Sequence, residues 1–314
     1  MNTYRAHGKL LLTGEYLVLK GALALALPTR LGQSLTVASL DEASLDLRHP
    51  GQATSTLFWT AHQPSGLWFS ATLDPDTLEV LDTDAPAKAE KLSQILKALQ
   101  VLNPKAITPG LHFTTQLDFD PAWGLGSSST LLSLLAQWAE VNPYELLRNT
   151  LGGSGYDIAC ATADTPLFYR LEHETPQVTP VAFDPPFADR LFFVYQGKKQ
   201  HSSEEVKAFN RHWEETDLTA ELQTVSTLSM ALPTIPYFED FRTLLQVHED
   251  LLSRCLGREP IQRQFPGFDG VLKSLGAWGG DFLLAATDQS YEAVAAYFEQ
   301  HGLDTVIRYH DIIL

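Results

Sequence analysis

Between a strand-like run, GLHFTTQLDF at 110–119, and a segment whose Leu131, Leu134, Leu135 and Trp138 recur at helical spacing lies Pro121-Ala-Trp-Gly-Leu-Gly-Ser-Ser-Ser-Thr130. A strand, a glycine-rich turn and a buried helix starting near Ser127 therefore follow one another, so the helix N-terminus opens onto a tight turn. Gly124 and Gly126 let the backbone turn and approach a ligand closely, and Ser127 is placed to cap the helix. Unpaired first-turn N–H groups and the helix dipole make such a place an anion site. There Ser128 and Ser129 offer hydroxyls to a Mg²⁺ carried by a nucleotide. An ordinary Ser-capped helix after a glycine turn is the bland alternative. No G-x-x-x-x-G-K-[ST] occurs and no third glycine completes a dinucleotide fingerprint, so neither a conventional P-loop nor a Rossmann motif is present.

Two further glycine-rich segments carry chemistry. Gly152-Gly-Ser-Gly-Tyr-Asp157 sets one carboxylate beside closely approaching backbone. Asp157 is the candidate general base or acceptor-positioning residue, with Ser154 able to support metal or phosphate. A turn with Asp157 as helix cap is the competing reading. Lys273-Ser-Leu-Gly-Ala-Trp-Gly-Gly-Asp281 precedes the apolar run FLLAA. Its glycines 276, 279 and 280 form a loop that can close over phosphates or simply turn into a strand. At the N-terminus, Gly8-Lys-Leu-Leu-Leu-Thr-Gly-Glu-Tyr16 places Lys9 at a strand start. Lys9 either neutralises charge developing between nucleotide and acceptor or is a solvated edge lysine.

The chain is long enough, at 314 residues and 44% hydrophobic, for two domains with sizeable cores. Its net charge of −16, from 22 Lys+Arg against 38 Asp+Glu, disfavours a nucleic-acid partner. A small anionic substrate then requires a few cations gathered in one cleft. No run of about 18 apolar residues predicts a membrane span. The N-terminal segment does not read as a signal peptide, and Cys160 and Cys255 form no disulfide framework, so a reducing cytoplasm is expected.

Along the chain, 4–40 predicts strands broken by turns, and 55–61 with 67–73 predicts a hairpin turning at Pro64-Ser65-Gly66. Residues 86–102 predict a helix. The Pro-rich stretch near 176–186 is the candidate linker, followed by a strand at 191–195 and helical segments over 202–256. A helix near 268–275, the strand FLLAAT, a helix from Ser290 and a last strand near 304–309 complete the reading. Strands interleaved with helices in both halves suggest two α+β domains with a cleft between them.

Taken in order, GKLLLTGEYLVLKG at 8, PAWGLGSSST at 121, GSGYD at 153 and KSLGAWGGD at 273 resemble the GHMP small-molecule kinases, and the resemblance spans nearly the whole chain. GEYLVL, GSGYD with a later FYRL, GGD281 and YQGKKQHSSEEV at 195–206 are similar to the mevalonate-pathway branch, phosphomevalonate kinase and mevalonate kinase. The resemblance implies an α+β fold: an N-terminal α+β phosphate-loop domain, 1–178, and a C-terminal ferredoxin-like α+β domain, 179–314. It implies ATP and Mg²⁺ as cofactors, with Gly124, Leu125, Gly126, Ser127, Ser128 and Ser129 around the nucleotide phosphates. Ser128 would touch Mg²⁺, and Glu145 is the nearest upstream acid for the metal's carboxylate ligand. Asp157 would face the acceptor with Lys9 beside it. Glu15, Tyr16, Ser154, Gly155, Lys198, Lys199, Gly276, Gly279 and Gly280 fall on the acceptor side. Lys198 and Lys199 would grip its phosphate or carboxylate, the alternative being two solvated loop lysines.

Three departures stand out: His7 where the family has proline, Trp278 where it has glycine, and an interval of only 29 residues from Ser128 to Asp157. Trp278 either packs the adenine or narrows its loop. The implied activity is in-line transfer of the ATP γ-phosphoryl group to a small anionic acceptor, phosphomevalonate or mevalonate, by a cytoplasmic monomer or homodimer. A kinase-fold sensor that binds nucleotide or metabolite without turnover is the second reading, and a decarboxylase on the same fold a third.

Overall fold

Alternating and 3.6-residue apolar patterns sort the chain into two compact units in the computed structural model, which describes residues 2–39, 56–198, 217–276, 278 and 280–314. The first unit comprises Met1–Gly8, Leu31–Pro121 and Gly126–Thr162; the second comprises Lys9–Arg30, Ala122–Leu125 and Ala163–Leu314. Strands β1 (Asn2–Thr13) and β2 (Ala24–Ser39) contribute residues to both.

In the first unit, β3 (Leu57–Gln63) and β4 (Gly66–Leu73) form the expected hairpin, with Leu57 opposite Leu73. With β5 (Val80–Thr83), β6 (Leu111–Leu117) and the later part of β2 they run in the order β5-β4-β3-β6-β2. The β3–β6 pairing is parallel, and α1 (Pro86–Leu102) lies between these two strands in sequence, as a parallel crossover requires. Period-2 burial on β3 turns Leu57, Trp59 and Ala61 inward. Leu92, Ile95, Leu96 and Leu99 of α1 and Leu132, Leu135, Ala136 and Ala139 of α2 (Ser127–Ala139) join them in one core. Trp59 stacks on Phe113 at 5.4 Å, and Trp138 meets Phe113 edge-on at 4.9 Å. Two short helices follow, α3 (Pro143–Arg148) and α4 (Tyr156–Ala161).

The second unit holds the hairpin β7 (Leu167–Glu172) and β8 (Thr175–Pro180), with β7 paired to the first residues of β2. The Pro-rich stretch expected as a linker is therefore strand in its first part. The boundary expected after residue 178 falls within β8, where Val178 pairs with Tyr169. Beyond lie β9 (Leu191–Tyr195), α5 (Thr219–Ala231), α6 (Phe238–Leu256), β10 (Val271–Ser274), β11 (Phe282–Ala286), α7 (Tyr291–Gln300), β12 (Val306–Arg308) and α8 (Tyr309–Ile312). The order β10-β11-β9-β12, antiparallel throughout, with helices between β9 and β10 and between β11 and β12, is the ferredoxin-like β-α-β-β-α-β arrangement.

The helix expected near 268–275 is instead strand β10, whose Leu272 and Ser274 pair with Ala285 and Leu283. A four-residue segment, Val-Leu-Lys-Ser, is too short to show a period of its own, and the β11 partner decides its state. No helix among the described residues is long and apolar enough to cross a membrane.

Candidate active site

The turn after β6 ends at Gly126, which precedes α2 with φ 91°; no side chain caps the helix. Ser127 is thus the first helical residue rather than the cap, because a left-handed glycine takes the boundary position. The Ser127 carbonyl accepts from Thr130 Oγ1 at 3.0 Å, and the first α-helical bond runs from Thr130 N–H to Gly126 O. A helix start without a side-chain cap leaves its first-turn N–H groups aimed outward, with the positive end of the dipole behind them. Ser128 is exposed and Ser129 is buried.

Ser129 does not share the role expected of Ser128. Its hydroxyl donates to Asp157 Oδ2 at 2.6 Å, while Asp157 Oδ1 accepts the Ile158 N–H at 3.0 Å. Asp157 stands in the first turn of α4, which begins after Gly155 at φ 86°. Ser154 is buried just before it. Tyr144, on α3, has its phenol pushed up to about 12 by burial and by the negative charge of Asp157. Tyr144 carries no motif, so only the fold identifies it as a neighbour of the carboxylate. Gln33 is a second residue without a sequence signal: its side-chain oxygen accepts from Thr130 Oγ1 at 2.7 Å in a buried bond. Glu145 lies exposed in the first turn of α3, 4.0 Å from Arg148. Among the described residues, no group of three or more His, Cys, Asp or Glu is gathered for a metal ion.

In the second unit, the Lys9 N–H donates to Leu125 O at 3.0 Å, which brings the first motif and the glycine turn together. Ala122–Leu125 is pinned further by Tyr195 OH, donating to Ala122 O at 3.1 Å, and by Trp123 packing edge-on against Phe282 at 5.9 Å. Gly124 has φ 70°, and a Cβ built on it would stand 2.2 Å from the Asp281 carboxyl carbon. Only glycine fits that contact. Lys198 is exposed, and its carbonyl accepts from Asp281 N–H at 2.8 Å. Lys199 and Gly279 lie outside the described residues, as does most of the 195–206 segment.

Glu15 and Tyr16 sit beneath the surface, 2% and 7% exposed. Glu15 Oε1 lies 2.5 Å from Lys273 Nζ, and both side chains are enclosed. Burial lifts the Glu15 carboxyl to about 7, although Lys273 pulls it the other way. His248 Nε2 accepts the Gly14 N–H at 3.1 Å, and burial together with Lys273 holds this imidazole well below its usual value. It is therefore neutral, so its 3.6 Å approach to Glu15 is not an ion pair. Glu249 completes the group, accepting from Ile261 N–H, Ser274 N–H and Ser274 Oγ.

Tyr16 OH accepts the Trp278 N–H at 3.0 Å, and Trp278 is 3% exposed in an apolar cluster with Leu17, Leu251, Leu252 and Cys255. The indole belongs to the core and presents no open face for an adenine. Gly276 and Gly280 flank it in the same loop.

No protein-family model matches the sequence, and no curated protein matches it either. Solved structures do match in fold. Phosphomevalonate kinase of Streptococcus pneumoniae, in complex with phosphomevalonate and AMPPNP, aligns with 98% of this chain and 100% of its own at TM-score 0.69 and 18% identity. Mevalonate kinase of L. major, in complex with R-mevalonate, covers 98% and 95% at TM-score 0.66 and 16% identity. Galactokinase of Lactococcus lactis, complexed with galactose, covers 98% and 92% at TM-score 0.66 and 13% identity. At these identities the likeness is one of fold.

Proposed function

We propose that this chain, which has the fold of the GHMP kinases, is an ATP-dependent kinase that phosphorylates a small anionic acceptor, phosphomevalonate or mevalonate. The observation that carries the reading is the joining of an uncapped helix N-terminus to a fixed carboxylate through the Ser129–Asp157 bond. Phosphoryl transfer asks a protein chiefly for positioning and charge stabilisation, and these two features offer an anion cradle and an oriented carboxylate to position the acceptor.

The residues present fit a Mg²⁺-nucleotide. Main-chain N–H groups of 124–129 would hold the phosphates, and the exposed Ser128 hydroxyl is suited to the cation. Glu145 is the nearest upstream acid for its carboxylate ligand. The cation supplies neutralisation of the phosphate oxygens. Lys9 offsets developing charge, and Asp157 orients the acceptor or takes its proton. Ser154, Gly155, Lys198, Lys199 and the Gly276, Gly279 and Gly280 loop serve the acceptor side. Glu15 and Tyr16 serve it from below, by holding that loop. The protein works on a small molecule in the cytoplasm, as monomer or homodimer, without nucleic acid or membrane.

The test is ADP release from purified protein with Mg-ATP, offered mevalonate and 5-phosphomevalonate in parallel. Turnover of one acceptor identifies it. AMP-PNP binding with no turnover of any anionic acceptor sinks the kinase reading in favour of a nucleotide-binding sensor.

A further inference from the structure

The side chain of Asp281 lies on the glycine turn. A Cβ at Gly124 would meet its Cγ at 2.2 Å and its two oxygens at 2.3 and 2.5 Å, so the carboxylate rests against the Gly124 backbone. Asp281 is 5% exposed and has φ 55°, a left-handed backbone that aspartate tolerates better than most residues. Its N–H donates to Lys198 O and its carbonyl accepts from Gln196 N–H, both at 2.8 Å. Gln196 Nε2 donates to Gly280 O at 2.9 Å, and Leu275 N–H to Phe282 O at 3.0 Å closes the loop at its base.

Lys273 and Trp278, two described residues on the N-terminal side of Asp281, are also held by their contacts. Lys273 is enclosed with Glu15, Trp278 is sunk in the apolar cluster, and its carbonyl accepts from Arg258 at 2.9 Å. The turn on the other side of the contact is fixed by Tyr195, Trp123 and Lys9. Both partners are thus held by contacts within one unit, and the carboxylate is a built feature of the turn.

A carboxylate fixed on a turn that takes phosphates is an electrostatic conflict, because two anions at contact distance repel unless a cation stands between them. Mg²⁺ resolves it in a characteristic way. It uses one or two protein carboxylates together with the phosphate oxygens and keeps several waters, without a dedicated protein cage. A single carboxylate held against the turn matches that demand. We propose that Asp281 is a protein ligand, directly or through the ion's water shell, for the divalent cation that accompanies the nucleotide. It thereby makes nucleotide binding at the Gly124 turn cation-dependent. The inference rests on the kinase reading, and it gives a role to an acid that the family resemblance marked only as part of a motif.

The experiment measures AMP-PNP affinity by titration calorimetry with Mg²⁺ and with EDTA, for the wild type and Asp281→Asn. Asparagine keeps the shape and accepts the left-handed backbone. The wild type is expected to bind far more tightly with Mg²⁺. In Asp281→Asn the Mg²⁺ affinity should fall roughly 10- to 100-fold. The EDTA affinity should stay level or improve, because the repulsion is gone. An unchanged Mg²⁺-to-EDTA ratio overturns the inference.

If Asp281→Asn does not fold, the wild type is read directly. Mn²⁺-AMP-PNP should broaden the carboxyl carbon of Asp281 beyond detection in ¹³C spectra, and a sharp resonance overturns the inference. A wild type that binds AMP-PNP under neither condition sinks the kinase reading itself and this inference with it. That result is distinct from cation-independent binding, which sinks this inference alone.

Discussion

The Ser129 hydroxyl donates to Asp157 Oδ2 across 2.6 Å, joining the first turn of α2 to the first turn of α4. The second carboxylate oxygen accepts a main-chain N–H, so the group is oriented before any ligand arrives. Ser129→Ala leaves the charge and removes the restraint. In the ADP-release assay kcat should fall by about one order of magnitude, with the KM for ATP within about twofold of wild type. A changed KM with unchanged kcat would assign Ser129 to nucleotide binding instead.

Asp157→Asn separates the two acceptors. A hydroxyl acceptor must lose a proton, and the loss of a positioned base costs roughly 10²- to 10⁴-fold. A phosphate monoester, with a second pKa of about 6, is already anionic near neutrality. The cost should then be well under 10²-fold. A rate unchanged with either acceptor removes Asp157 from the chemistry.

Gly124→Ala forces a methyl group into the Asp281 carboxylate at a residue with φ 70°. We expect destabilisation of more than about 1 kcal/mol in denaturant unfolding. Adding Asp281→Ala should return part of it, because the clash goes while the backbone strain stays. Strict additivity of the two changes would show that the contact is not made.

Trp278→Ala empties a site in the apolar cluster of the second unit and should cost about 3–5 kcal/mol. Trp278→Phe should cost much less and leave AMP-PNP affinity unchanged. A lost affinity in the phenylalanine variant would put the indole against the base after all.

The Glu15 carboxyl, raised by burial to about 7 from an ordinary 4.5, gives a pH signature. Its folded value lies above its unfolded one, so the stability it contributes is complete below about pH 4.5 and is lost as pH rises through about 7. Glu249, also raised by burial, runs the same way. His248, depressed by burial and Lys273, contributes stability above about pH 6.5 that is lost on acidification. Comparing Glu15→Gln with the wild type isolates the first effect. Across pH 4.5 to 7 the wild type should lose on the order of 3 kcal/mol relative to the variant, from 1.36 kcal/mol per pKa unit. A pH-independent difference between the two unfolding curves would contradict a titrating Glu15.

The regular patterns were readable from the chain. The helices at 86–102 and from Ser127 and the hairpin around Pro64-Ser65 rest on local periodicity and turn chemistry, which need no distant partner. Val271–Ser274 is too short for a period, and its state depends on pairing with β11. The strand at Thr175–Pro180 was hidden by prolines, which its hairpin with β7 tolerates.

By itself the sequence determined the glycine turns, the helix after Ser127 and the four-motif order, all properties of neighbours along the chain. Only the tertiary structure decided which serine meets Asp157, that Glu15 is enclosed with a lysine 258 residues on, that Trp278 is core, and that Asp281 rests on Gly124. A spacing along the chain tells what a backbone can do locally. Burial, charge pairing and side-chain contact come from residues far apart in sequence, and they exist only once the strands have paired.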